Sequence, residues 1–255
     1  MKVRRTLSFF LLAAWSLELA AFAQAVPLDR EPSHHLALQN EYVRAFKVEV
    51  APHASTLLHQ HDHDYVFVTL GPSSVENDVL GKAPVKLELQ DGEARFAKGG
   101  FAHVAKNLSD KPFRNVTVEL LKGGEDVVAC DHTKAQCGSY VGRDYTIVGT
   151  GEDRKGLAGD KLIVARSYQV LVGKNLEIRR TEIPPGLSGA QHTHGGPHLA
   201  IALTDLDLRS MDSNGNSREV HQRAGEIAWV PGGVGHTLTN IGAKPAGIVT
   251  IEFTQ

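Results

Sequence analysis

Two sets of side chains in this chain have the types and spacing to hold a metal ion. His59 and His61 lie two residues apart, as do His192 and His194. On a strand, successive side chains alternate between faces, so both imidazoles of a pair reach the same side. His103 follows His59 by 44 residues and His236 follows His192 by 44, each in a Gly-rich turn, KGGFAHVAKN or PGGVGHTLTN, that leads into a later strand. Three nitrogens from two strands are a usual starting set for a divalent transition metal, and Fe, Mn, Cu, Ni and Zn all suit it. Each set offers a fourth candidate: Asp64, three residues after His61, and His198, four after His194. The expected ligands are therefore His59, His61, Asp64 and His103 for one ion and His192, His194, His198 and His236 for another. His63 either replaces Asp64 or points away. His34, His35, His132 and His221 keep the ordinary reading of surface or satisfied core histidines.

The elements that position these residues occur twice. Glu49 to His61, EVAPHASTLLHQH, aligns with Glu182 to His194, EIPPGLSGAQHTH, and 182 minus 49 is 133. The same displacement carries Gly92 to Gly225, Gly100 to Gly233, His103 to His236, Asn107 to Asn240 and Val116-Thr117-Val118-Glu119 to Val249-Thr250-Ile251-Glu252. The units run from about Pro32 to Lys122 and from about Lys161 to Gln255, with a connection over 123–160 rich in Gly, Asp and Lys. Within each unit, short runs of Val, Ile, Leu and Phe alternate with polar residues between Gly, Pro, Asn and Asp breaks, which predicts an all-β sandwich or barrel.

The N-terminus reads as an export signal. Lys2, Arg4 and Arg5 precede an apolar run from Leu7 to Ala23, and Ala21-Phe22-Ala23 supplies a small-x-small cleavage pattern. A membrane anchor is the rival reading, but the run is short and contains Glu18. Residues 1–23 are thus expected to leave a periplasmic or secreted protein with no membrane segment. Two cysteines, Cys130 and Cys137, suit a disulfide in such a compartment, worth roughly 2 kcal/mol through restriction of the unfolded chain; a metal site with His132 is the alternative. A net charge of −2 gives no attraction to nucleic acid or anionic lipid.

The residues resemble the cupin superfamily, whose first motif is G-x5-H-x-H-x3,4-E-x6-G and whose second is G-x5-P-x-G-x2-H-x3-N. The second unit supplies Gly186, His192 and His194, then Gly225, Pro231, Gly233, His236 and Asn240, with His198 where the family has Glu and Asp205 where it has Gly. The first unit supplies Gly71, Gly92, Gly100, His103 and Asn107, with His53 for the leading Gly, Asp64 for Glu after a shorter gap, and Lys98 for Pro. The resemblance implies two tandem cupin barrels of the jelly-roll, double-stranded β-helix type, each with one metal. In bicupin quercetinase-like dioxygenases the Glu is ligand and base, which makes Asp64 and His198 the candidate catalytic residues.

If Asp64 and His198 point inward, alternation turns Val66 and Val68 inward in the first barrel and Ala200 and Ala202 in the second, leaving more room in the second. The implied activity is a metal-dependent dioxygenase acting on a small phenolic, diketone or flavonol-like substrate. A non-catalytic exported module that binds a metal or small ligand is the alternative, and oxalate decarboxylation ranks last because the second unit lacks the family's carboxylate. A monomer and a homodimer both fit, since two barrels in one chain can replace a dimer of single ones.

Overall fold

A computed structural model describes residues 24–130 and 165–254. The expected leader, Cys137 and most of the connection fall outside those residues, so neither the cleavage site nor the proposed disulfide is described.

The first half contains β1 (Val26–Pro27), a 3-10 turn (Leu28–Arg30), β2 (His34–Gln39), β3 (Val43–Val50), β4 (His59–His61), β5 (Tyr65–Thr69), β6 (Ser73–Val79), β7 (Val85–Leu89), β8 (Ala94–Ala97), β9 (Phe101–Asn107) and β10 (Phe113–Leu120). The second contains β11 (Val128–Ala129), β12 (Arg166–Gly173), β13 (Leu176–Ile183), β14 (His192–Thr193), β15 (His198–Ala202), β16 (Leu206–Asp212), β17 (Ser217–Gln222), β18 (Ile227–Val230), β19 (Gly235–Asn240) and β20 (Ala246–Glu252). The duplication seen in the sequence holds in the elements: β3 and β13 begin 133 residues apart (176 minus 43), as do β5 and β15 (198 minus 65) and β10 and β20 (246 minus 113).

Each half folds as two facing sheets. The first pairs β1-β4-β9-β6-β7 with β2-β3-β10-β5-β8; the second pairs β14-β19-β16-β17 with β11-β12-β13-β20-β15-β18. Strand β1 runs parallel to β4 and sets Val26 opposite His59, so chain before Pro32 belongs to the first barrel. Strand β11 joins β12, so the first residues after the first unit extend the second unit's sheet.

Three apolar clusters account for the buried faces of the strands. One, inside the first barrel, includes Phe46, Val48, Val50, Val75, Leu89 and Phe113. Another, inside the second, includes Ile183, Leu206, Leu208 and Ile248. The third draws on both halves, joining Val43, Val66, Val68, Val116 and Val118 to Ile178, Leu199, Ile201, Val249 and Ile251. Strands β5, β10, β15 and β20 are therefore buried on both faces, one toward their own barrel and one toward the other barrel.

That packing corrects the expected facing of β5. Val66 and Val68 lie in the cluster between the barrels, while Tyr65 and Phe67 line the first barrel's interior. In the second barrel Ala200 and Ala202 do face the interior cluster. Between the barrels, Arg180 donates from Nη1 to the Asp91 carbonyl at 2.7 Å, and Gly92, at φ +66°, leaves room for that guanidinium; a Cβ there would sit 2.7 Å from Arg180 Nη1 and from Leu203 Cδ1.

Candidate metal centres

The His-x-His strands lie beside the strands that carry the third histidine. In β4 and β9, His59 stands opposite His103. In β14 and β19, His192 stands opposite His236. A glycine in the left-handed region holds each junction: Gly100 (φ +83°) donates its N–H to the His61 carbonyl at 2.7 Å, and Gly233 (φ +77°) to the His194 carbonyl at 2.8 Å. The motif asparagines act as buried clamps. Asn107 Nδ2 donates to the carbonyls of Val50, Ala51 and Lys111, and Asn240 Nδ2 to those of Ile183 and Lys244, which tie the end of the third-histidine strand to its neighbours.

The structure brings six of the eight expected ligands together. The nitrogens of His59, His61 and His103 all lie within 4.8 Å of one another, and so do those of His192, His194 and His236. The Nε2 atoms of His61 and His103 are 3.2 Å apart, and His192 Nε2 is 3.1 Å from both His194 Nε2 and His236 Nε2. Nitrogens bound about 2.1 Å from one ion with angles of roughly 90–109° stand about 3.0–3.4 Å apart, so these separations match a three-nitrogen face.

The hydrogen bonds behind the rings select the tautomer such a face needs. His59 Nδ1 donates to the Leu57 carbonyl at 2.9 Å and His103 Nδ1 to Asn77 Oδ1 at 2.5 Å. His192 Nδ1 donates to the Ala190 carbonyl at 2.8 Å and His194 Nδ1 to Glu252 Oε2 at 2.8 Å. With the proton on Nδ1, each Nε2 presents a lone pair. His59 Nε2 is buried with no partner in the protein, the kind of orphan a bound cation satisfies.

Burial keeps the rings neutral. It pushes His59 down to about 4, His103 to about 3 and His61 to about 2, with neighbouring imidazoles adding to each shift. His236 is likewise held at about 4, first by burial and then by the rings around it. The two sites differ in access. His59, His61 and His103 are 1%, 2% and 8% exposed, whereas His192 is exposed and His236 half-buried.

Asp64 and His198 stand outside these groups. Asp64 Oδ1 accepts from the Gly99 N–H at 2.9 Å and its Oδ2 from Lys98 Nζ at 2.9 Å, so its carboxylate closes the turn before β9 and does not join the nitrogens. His198 stacks on His194 with ring centroids 3.8 Å apart and planes at 29°, and its Nδ1 is buried without a partner. His63 is exposed.

The residue equivalent to His198 is Tyr65, since 198 minus 133 is 65. It stacks on His61 in the same way, centroids 4.0 Å apart and planes at 15°. An aromatic platform under the second histidine thus occupies the position held by Glu in the cupin motif. Following the displacement through position 198 would have found it.

Three carboxylates around the sites were also not anticipated. Glu252 receives His194; burial works to raise its pKa, but the bonds from His194 and the Gly196 N–H outweigh that and hold it low. Its counterpart Glu119 binds Arg44 instead, at 2.5–2.8 Å, and burial raises its pKa. Position 44 corresponds to 177, a glutamate, so among the described residues no cation draws Glu252 away from His194. The third is Glu31, which accepts from His34 Nδ1 at 2.6 Å beside the first site.

The first triad forms part of the wall of a cavity of about 70 Å³, otherwise lined mainly by Val48, Phe67, Val75, Leu87, Leu89 and Phe113. At about 10–15 Å³ of such volume per water, it holds roughly five waters.

No family model matches the chain, and no curated protein matches it. Solved structures do. A mutant form of Bacillus subtilis oxalate decarboxylase OxdC is 14% identical with a TM-score of 0.54, covering 88% of this chain and 76% of that one. AerE from Microcystis aeruginosa is 14% identical with a TM-score of 0.51, covering 88% and 99%. A cupin 2 conserved barrel domain protein from Leptotrichia buccalis is 10% identical with a TM-score of 0.50, covering 87% and 88%. At these identities the likeness establishes the fold, a double cupin barrel.

Proposed function

We propose that both triads hold a divalent transition metal and that the first barrel is the reaction chamber of a dioxygenase for a compact phenolic or diketone-type molecule. The observation that carries this reading is a buried three-nitrogen face lining a mostly apolar cavity. When bound, the metal supplies Lewis acidity and access to O2 chemistry. His59, His61 and His103 would hold it at the cavity wall. Tyr65 keeps the His61 ring in place by stacking, and Leu57 and Asn77 fix the tautomers of His59 and His103. The apolar walls exclude bulk water and receive the hydrocarbon part of the substrate.

Size narrows the substrate. A space of roughly five waters suits a single ring or a short diketone. An apolar chamber is also a poor host for a small dianion such as oxalate. Asp64, held by Lys98 and Gly99, has no part in this reading, and His198 serves as a platform for His194.

Oxygen uptake tests it. The chain is loaded separately with Fe(II), Mn(II), Ni(II) and Cu(II), and supplied anaerobically with monocyclic phenols, catechols and short diketones before air is admitted. Uptake is expected with at least one metal, to be abolished by His59→Ala and retained in His192→Ala. No uptake with any pairing would overturn it.

One observation favours a second role for the second site. Its His192 is exposed and its His236 half-buried, while the buried His194 is backed by Glu252, which suits a metal held for structure or exchange.

A further inference from the structure

His34 and Glu31 form a buried pair in the first barrel. Glu31, 2% exposed, accepts three hydrogen bonds: from the Ser33 N–H at 2.8 Å, the Leu57 N–H at 3.1 Å and His34 Nδ1 at 2.6 Å. Burial works against its charge, but His34 and the two backbone donors outweigh it and keep the carboxylate ionised. The proton between them therefore sits on Nδ1, and Nε2 is left as the ring's other polar atom.

No hydrogen bond among the described residues engages that Nε2, and His34 forms part of the cavity wall. Its ring centroid is 4.9 Å from that of His59 and 6.4 Å from that of His61, next to the triad but outside it. A histidine kept only for packing would bury its second nitrogen against a partner or be replaced by an apolar residue.

The pair is also absent from the second barrel. Position 34 corresponds to 167, where Ser167 Oγ is engaged by Thr181 and Arg179. The strand that carries His34 repeats in register as β12, yet this pair does not, which points to something particular to the first cavity.

We propose that the Glu31–His34 pair is the polar contact of a ligand site in the first barrel, where His34 Nε2 accepts a hydrogen bond from the hydroxyl of a monocyclic, phenol-sized molecule whose apolar ring lies against Val48, Val75 and Leu87. This rests on the first cavity being the substrate chamber, and it adds the substrate class: one hydroxyl donor on a body of about seven heavy atoms, the volume of roughly five waters. Glu31 fixes the tautomer and orientation of the accepting ring, as a carboxylate does for a histidine elsewhere.

The test is calorimetric titration of the metal-loaded full chain with phenol and with toluene, which share shape and size but not the hydroxyl. Wild type, His34→Leu and Glu31→Gln are compared, with metal content measured on the same samples. The ratio of phenol to toluene affinity is expected to fall about tenfold in His34→Leu, the worth of one hydrogen bond to a charge-assisted acceptor, and by less in Glu31→Gln. An unchanged ratio in both variants, or no binding of either probe to the metal-loaded wild type, overturns the proposal. If His34→Leu fails to fold, which loss of metal from both sites would reveal, Glu31→Gln alone decides. Failure of the metal reading is distinct: wild type would then carry no metal at the first site while the affinity ratio still responded to His34.

Discussion

Replacing Arg44 by Met removes the cation that holds Glu119 and exposes a competition that the second barrel has already resolved. In the first barrel His61 Nδ1 and Glu119 Oε1 are both buried and both lack a partner, while Arg44 binds Oε2. In the second, the same two positions are joined, His194 Nδ1 to Glu252 at 2.8 Å. Glu119 is 0% exposed, so stripping its cation with the carboxylate fixed in place costs about 3–5 kcal/mol. Rotation of the carboxylate onto His61 recovers about 1.5–3 kcal/mol through a hydrogen bond to a charged acceptor and pairs both orphans. The net loss in Arg44→Met is then about 2 kcal/mol, the difference of those two effects. The same rotation gives His61 the carboxylate backing that His194 has, so metal affinity at the first site rises about tenfold. Denaturant unfolding of the metal-free chain gives the first quantity and competition with a chelator the second. A loss of about 4 kcal/mol or more, roughly the full cost of an unpaired buried charge, with metal affinity unchanged would refute the reasoning.

The remaining predictions concern pH and backbone. In metal-free protein the buried His59, His61 and His103 have folded-state pKa values below the usual 6.5, so the unfolded chain binds protons first on acidification. Their contribution is fully present above about pH 6.5 and is lost as pH falls toward about 4 for His59, about 3 for His103 and about 2 for His61, with at least about 1–2 kcal/mol gone by pH 5; urea midpoints that stay level from pH 7 to 5 would contradict this. His53 holds φ +57°, where the equivalent Gly186 holds φ +76°. A left-handed residue with a Cβ costs about 1–2 kcal/mol, partly offset by the greater unfolded freedom of glycine, so His53→Gly stabilises by about 0.5–1 kcal/mol. Its exposed pair with Asp110 adds little. A lowered unfolding midpoint in that variant would count against the assignment of the turn.

Much of this was legible in the sequence because duplication and alternation are local and discrete. The 133-residue displacement located the strands, and His-x-His with a later histidine after a Gly turn located both nitrogen sets. What eluded that reading depended on partners distant in the chain. Asp64 looked like a ligand by charge and proximity, yet Lys98 and the Gly99 N–H claim it. Tyr65 drew no notice in the sequence, and its stacking on His61 matches that of His198 on His194. The facing of Val66 and Val68 could not be read from alternation, because β5 is buried on both sides and its apolar run carries no parity signal. His34 lies in β2, whose counterpart in β12 carries Ser167, so no second histidine highlights it.

The central claim is that each barrel gathers three imidazoles around one ion. Elemental analysis of metal-loaded full chain, wild type beside His59→Ala and His192→Ala, tests it most directly. The account predicts two ions per chain in wild type and one in each variant, with the retained ion in His192→Ala shielded from chelator and that in His59→Ala readily removed, as the burial of the two sites requires. Metal content equal to wild type in either variant, or no stoichiometric metal in the wild type, would contradict it.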